Sequence, residues 1–264
     1  MDRDRLFLVC AAVFFCGGFL YAITSLRSGH YKKSMWNFLA MFLGMAFQSM
    51  FLAERGQIHE RCPVTNLLEI LVFVSWSMVI IYLLFGSSYR LSLMGVFTSP
   101  LVLIICIVAA LMPFDKDQAI QVALDHGGAE TWTEFHIGIS LISYGSFGMA
   151  CIAGSMFLMQ EHHVRSGKLE TLFYHLPPMH NLSKAVFRLM FFGVILLAAG
   201  IFSAEKIPPP PKGDSHPLWP LYVIWLLYAG ICFLEFFRGM VARRLSQFAV
   251  FAFLISLLSL LVIS

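Results

Sequence analysis

The sequence predicts an all-α fold, a polytopic bundle of about eight transmembrane helices with almost no soluble domain. Three observations predict it. First, 59% of the 264 residues are hydrophobic and only 12% are charged, with a mean hydropathy of +0.78. A soluble domain is nearer half apolar and a quarter charged, so this chain has too few polar groups to cover its apolar surface in water. Second, the apolar residues fall in runs near the ~20 residues that cross the hydrocarbon layer. Third, those runs lack the period-two alternation of a membrane barrel, so each must satisfy its own backbone hydrogen bonds as a helix.

The runs lie at about 6–26, 35–53, 66–86, 92–112, 135–159, 185–204, 218–237 and 247–263, and the whole chain reads as one integral membrane domain. The first, Leu6 to Thr24, follows mixed charges (Asp2, Arg3, Asp4, Arg5) and precedes a basic loop without a small-x-small site. It reads as a retained span, not a cleaved signal. The third carries Glu69 near its start. The longest loop, Pro113 to Glu134, holds Asp115, Asp117, Asp125 and Glu130, and the fifth run opens just beyond it at His136. The sixth ends at Glu205. Before the seventh, the run Pro208–Pro211 cannot be helical and reads as a stiff extended lip. Glu235 lies towards the far end of the seventh run. No internal repeat stands out.

Lys and Arg set the orientation. One set of loops, with Arg188 just inside the sixth run, carries Arg27, Lys32, Lys33, Arg90, Arg165, Lys168, Lys184, Arg188, Arg238, Arg243 and Arg244. The other carries Arg3, Arg5, Arg55, Arg61, Lys116, Lys206 and Lys212. The majority of 11 against 7 makes the first set cytoplasmic and puts both termini outside. The net charge of +3, without a basic block longer than two residues, gives no footing for nucleic acid. The cysteines (Cys10, Cys16, Cys62, Cys106, Cys151, Cys232) form no CxxC, and most read as small packing residues inside spans. Cys62 falls in an outer loop without an obvious disulfide partner.

Ionisable residues inside spans are costly and are candidates for function. Glu205 and Glu235 read as reaching the interface, or Lys206 and Arg238. His136, Ser140 and Ser143 share one helix face, which continues through Ala150 and Gly154 with Phe147 interrupting it. That face admits two readings. It is a close-packing surface whose histidine bonds to a neighbour, or it is room beside a neutral imidazole that ligates haem iron. His162, His163, His175 and His180 cluster near the other end of the fifth run, but no carboxylate or cysteine spacing there matches a zinc site. His59, His126 and His216 share the outer side with His136, and any of them is a candidate second axial ligand. There is no GxSxG, HExxH, P-loop or dinucleotide fingerprint, so no enzyme is expected. Without CxxCH the chain is not itself a c-type cytochrome.

Two segments resemble a known family. Pro63-Val64-Thr65-Asn66-Leu67-Leu68-Glu69, followed by Phe73 and Trp76, is similar to the start of one span in the cytochrome c assembly family (P-x-x-N-L-x-E-x-L-x-F-x-x-W). His136-Ile137 through Ser143-Tyr144-Gly145, then Gly154 and Met159-Gln160-Glu161, resembles that family's H-x6-S-Y span. Leu176-Pro177-Pro178 and Trp225-Leu226-Leu227-Tyr228 continue the likeness. Full-length members of the CcsA type carry a tryptophan-rich outer loop that presents haem. Here the corresponding stretch is Ile207 to Trp219, with a single tryptophan, and Phe233 stands where the family has a further histidine. The pattern therefore resembles the shorter HemX/YpjD-like branch.

The resemblance implies a membrane component of cytochrome c assembly that handles haem on the outer face of the bacterial inner membrane. In it His136 would ligate iron, with Ser143 and Tyr144 shaping its surroundings and Asn66, Glu69 and Trp76 supporting the mouth of span three. Expected partners are the lipid bilayer, haem and other assembly proteins. The alternatives are a scaffold or regulator of a haem-biosynthesis partner that binds no haem, and a small-molecule transporter, although no transporter-type repeat is visible.

Overall fold

The computed structural model describes residues 3–27, 35–59, 64, 67–86, 94–111, 129–166, 178–207 and 218–263. Among these residues the regular elements are eight helices: α1 (Arg3–Arg27), α2 (Met35–His59), α3 (Leu67–Gly86), α4 (Met94–Leu111), α5 (Ala129–Ser166), α6 (Met179–Ala204), α7 (Trp219–Arg238) and α8 (Ala242–Ile263). All eight are long and apolar enough to cross a membrane, and the chain is an integral membrane protein. Each expected span is a helix. The main differences are at the ends, where α2 runs past 53 to His59 and α5 begins at Ala129 and reaches Ser166. Polar residues at helix ends end an apolar run sooner than they end a helix. Asn66, Cys62, His126, His175, His216 and the proline run 208–211 lie outside the described residues.

The helices form two groups, α1–α4 and α5–α8, joined mainly where α3 packs on α5. α5 is the central element, and 72% of its most apolar stretch is buried. Its small residues explain this. A Cβ at Gly145 would lie 2.5 Å from Ser77 Cβ and 3.0 Å from the Ser77 backbone, and one at Gly154 would lie 3.0 Å from the Ser246 carbonyl. Gly193 of α6 faces the Phe147 ring just as closely, and that ring stacks on Tyr228 of α7 at 3.6 Å and 5°. Where water is absent, such close backbone approach and dispersion contact hold helices together. Gly145→Ala, which must displace backbone, is expected to cost about 1–3 kcal/mol. Gly230→Ala, at a site with nothing within 4 Å, is expected to gain about 0.5–1 kcal/mol from helix propensity. Thermal unfolding of the two variants in detergent checks the opposite signs.

Polar ties cross the first group. Gln48 Nε2 donates to Ser75 Oγ at 2.9 Å and to Cys106 Sγ at 3.2 Å, linking α2, α3 and α4. Pro100 interrupts α4 without breaking it. It leaves the Val96 carbonyl without its usual donor, and Ser99 Oγ approaches that oxygen at 3.5 Å. The α7–α8 turn closes on Gly239, whose φ of 61° suits a residue without Cβ. There Glu235 accepts from the Met240 N–H at 2.8 Å. Its carboxylate caps the turn at the end of α7, where the sequence expectation is a reach to the interface or to Arg238.

Candidate functional site

His136 lies two turns into α5, half-buried. Its Nδ1 is 2.7 Å from the Gly200 carbonyl of α6. A carbonyl only accepts, so Nδ1 carries the proton and donates it. The neutral ring then has its lone pair on Nε2. The same Gly200 oxygen accepts from Ser203 Oγ at 2.6 Å. Glycine permits this approach, since a Cβ at 200 would lie 2.5 Å from Ser140 Oγ. The α5–α6 contact thus fixes both the tautomer and the orientation of the imidazole. An N–H-to-carbonyl bond of this kind commonly accompanies histidines whose other nitrogen binds a metal.

The early start of α5 adds a residue that sequence reasoning missed. Trp132, one turn before His136 on the same face, is 44% exposed. It meets the exposed Phe135 edge-on at 6.4 Å between centroids. The helical signal was present, because residues 131–134 read as loop only through their polarity.

At the same end of the bundle lies a buried charge cluster. Arg55 Nε donates to Glu69 Oε1 at 2.6 Å, and a second Arg55 nitrogen also reaches that oxygen. Asp4 Oδ2 lies 3.6 Å from Arg55 Nη1. The Glu69 side chain is fully buried, and those of Arg55 and Asp4 are under a tenth exposed. Glu69 is eight residues before Ser77 and His136 nine before Gly145, the touching pair. At 1.5 Å per residue both are about 12–14 Å along their helices from that contact, and so at one level of the bundle.

The remaining expected residues are placed deeper. Trp76, in the middle of α3, donates from Nε1 to Ser49 Oγ of α2 at 2.8 Å. Ser143 is buried and donates to the Ser140 carbonyl at 2.6 Å. The buried Tyr144 hydroxyl lies 3.0 Å from Ser259 Oγ of α8. Ser143 and Tyr144 therefore lie buried within the bundle, about two turns below His136, with Tyr144 in contact with α8. At the opposite end His163 Nδ1 is 2.9 Å from the Met159 carbonyl of its own helix. Among the described residues no three His, Cys, Asp or Glu side chains are grouped to hold a metal ion.

Fold and site together define an all-helical membrane protein, with eight helices among the described residues, whose central helix carries, near one end, a histidine held in one tautomer. Residues 64–204 match the sequence model described as Cytochrome C assembly protein, more than half of the chain, and the chain belongs to that family. It is 24% identical over 156 residues to Protein HemX of Brevibacillus brevis, an overlap of 59% of this chain and 56% of that one. It is 28% identical over 97 residues to Cytochrome c biogenesis protein CcsA of Trichormus variabilis, 37% of this chain and 27% of that one. With the CcsA protein of Chlamydomonas reinhardtii it shares 24% identity over 215 residues, 78% and 59% of the two chains. The chain thus spans between about a quarter and three-fifths of the length of these three relatives.

Proposed function

We propose that this protein is a non-enzymatic membrane component of cytochrome c assembly that takes haem as cargo at the end bearing His136. The observation that carries this reading is the bond from His136 Nδ1 to the Gly200 carbonyl, which leaves Nε2 free to ligate iron. Family membership supports the reading, as do the relatives' names, which speak of cytochrome c biogenesis. His136 supplies one axial nitrogen, and the exposed Trp132 ring offers an aromatic face one turn away. Ser143 and Tyr144 stiffen the α5 surface beneath. Glu69 and Trp76 anchor the neighbouring helix; Asn66, expected to act with them, lies outside the described residues. The Lys/Arg bias supports placing this end outside a bacterial inner membrane, with both termini.

A second reading is a scaffold or regulator without haem. The burial of Ser143, which bonds within its own helix, and of Tyr144, which meets α8, favours it, because neither side chain opens towards a ligand. Haem content per chain, measured after haem-replete expression and detergent purification, separates the two. The first reading predicts bound haem in the wild type, its loss in His136→Ala, and its retention in Ser259→Ala. A haem-free wild type leaves the scaffold reading, and equal haem in a haem-containing wild type and His136→Ala removes His136 as the ligand.

A further inference from the structure

The end opposite His136 carries a second constellation, independent of the haem reading. A cleft of about 270 Å³ opens between α5 and α8, lined by Leu158, Glu161, His162, Arg165, Arg243 and Gln247. Glu161 organises it. One carboxylate oxygen accepts from Arg165 Nη2 at 2.7 Å, and the other lies 3.5 Å from Arg243 Nε. Two guanidinium groups from different helices are thereby brought to one carboxylate.

We propose that this cleft holds the phosphate of an acidic phospholipid. The charge count favours an anion, with two fixed cations against a single carboxylate. The Glu161 side chain is only 15% exposed, whereas those of Arg165 and Arg243 are 65% and 47% exposed. The guanidinium groups therefore keep donors directed outwards, and planar forks of this kind match phosphate oxygens. His162 of α5 and Gln247 of α8 also line the cleft and bring further hydrogen-bonding groups to it. Exposed Lys184, Arg238 and Arg244 extend the positive field at this end, while Glu235 is turned into the α7–α8 turn.

The level of the cleft favours a lipid over a soluble anion. Arg165 lies in the last turn of α5 and Arg243 in the first turn of α8, where the bundle leaves the apolar layer. Just before Arg243 along the chain, the exposed Phe236, Phe237 and Val241 present apolar surface at this end of the bundle, which suits acyl chains while the headgroup meets the arginines. Basic clefts between spans are general sites for anionic headgroups.

Native mass spectrometry of the purified full chain, titrated with phosphatidylglycerol, phosphatidylcholine or inorganic phosphate, tests the proposal. Phosphatidylglycerol is expected to bind and phosphatidylcholine to bind far more weakly. Each basic residue at a membrane surface is worth about fivefold in affinity for an anionic lipid, so Arg165→Gln with Arg243→Gln lowers it about 30-fold. Lys184→Gln with Arg238→Gln removes the same charge from α6 and α7, outside the residues that line the cleft, and lowers affinity less than about threefold, because solvent-exposed charges that do not meet the phosphate are weakened by salt screening. Equal losses in the two pairs would overturn the site in favour of diffuse surface charge. Inorganic phosphate binding as tightly as the lipid would overturn the lipid assignment. Arg165 and Arg243 are themselves about half-exposed, and elution of the variant as a single species checks that the bundle stays packed once Glu161 has lost both cations.

Discussion

Replacing Arg55 alone, as Arg55→Met, is expected to destabilise the protein by about 3–5 kcal/mol, because it leaves a buried carboxylate without its cation. Glu69 is fully buried on α3, and Asp4 of α1 shares the same guanidinium. The apolar pair Arg55→Met with Glu69→Leu removes both members of the tight contact, and the part of the loss that comes from Glu69 is expected to return, while Asp4 keeps its bond from the Arg5 N–H. Unfolding midpoints in detergent for the single and double variants decide the matter. A double variant no more stable than the single one would mean that the cluster does not act as an ion pair. The cluster ties three helices together at the level of His136, so the single variant should also loosen the end of the bundle where haem is proposed to bind.

The contrast between Arg55 and Glu69 shows where sequence reasoning reached its limit. Glu69 stands inside an apolar run, and its cost there marks it at once. Arg55 lies just past the apolar stretch of α2 and counted as a loop charge, yet the helix continues to His59. Only the approach of α3 reveals that the guanidinium points inward. The α5 face was legible for the opposite reason. Ser140 and Gly154 repeat at helical spacing, and both do meet other helices closely, Ser140 at Gly200 and Gly154 at Ser246. Their partners were not legible, because nothing local to α5 identifies the span that packs there. The same holds for His136. Its type and position stand out in the sequence, but the carbonyl that fixes its tautomer belongs to a glycine 64 residues away. The structure shows the first of the two readings of that face, a packing surface whose histidine bonds to a neighbour, and the haem reading stands as the proposal. The histidine does bond to a neighbour, and that bond presents the other nitrogen.

The second large effect follows from that geometry. His136→Gly removes the proposed axial nitrogen and leaves a cavity the size of an imidazole beside the Gly200 carbonyl. Haem that depends on this ligand should be lost on purification, and free imidazole, which can donate to the same carbonyl and present the same lone pair, should restore it. Hydrogen-bonded positioning of this kind typically contributes 10- to 100-fold in metal affinity, so 1-methylimidazole, without an N–H to donate, should restore haem less well. The most direct measurement is the Soret absorption of purified His136→Gly protein, reconstituted with haem and titrated with imidazole, beside the wild type. The account predicts a wild-type Soret band, its loss in the variant, and its return with imidazole. A wild type without the band, or a variant whose band matches the wild type before any imidazole is added, would contradict it.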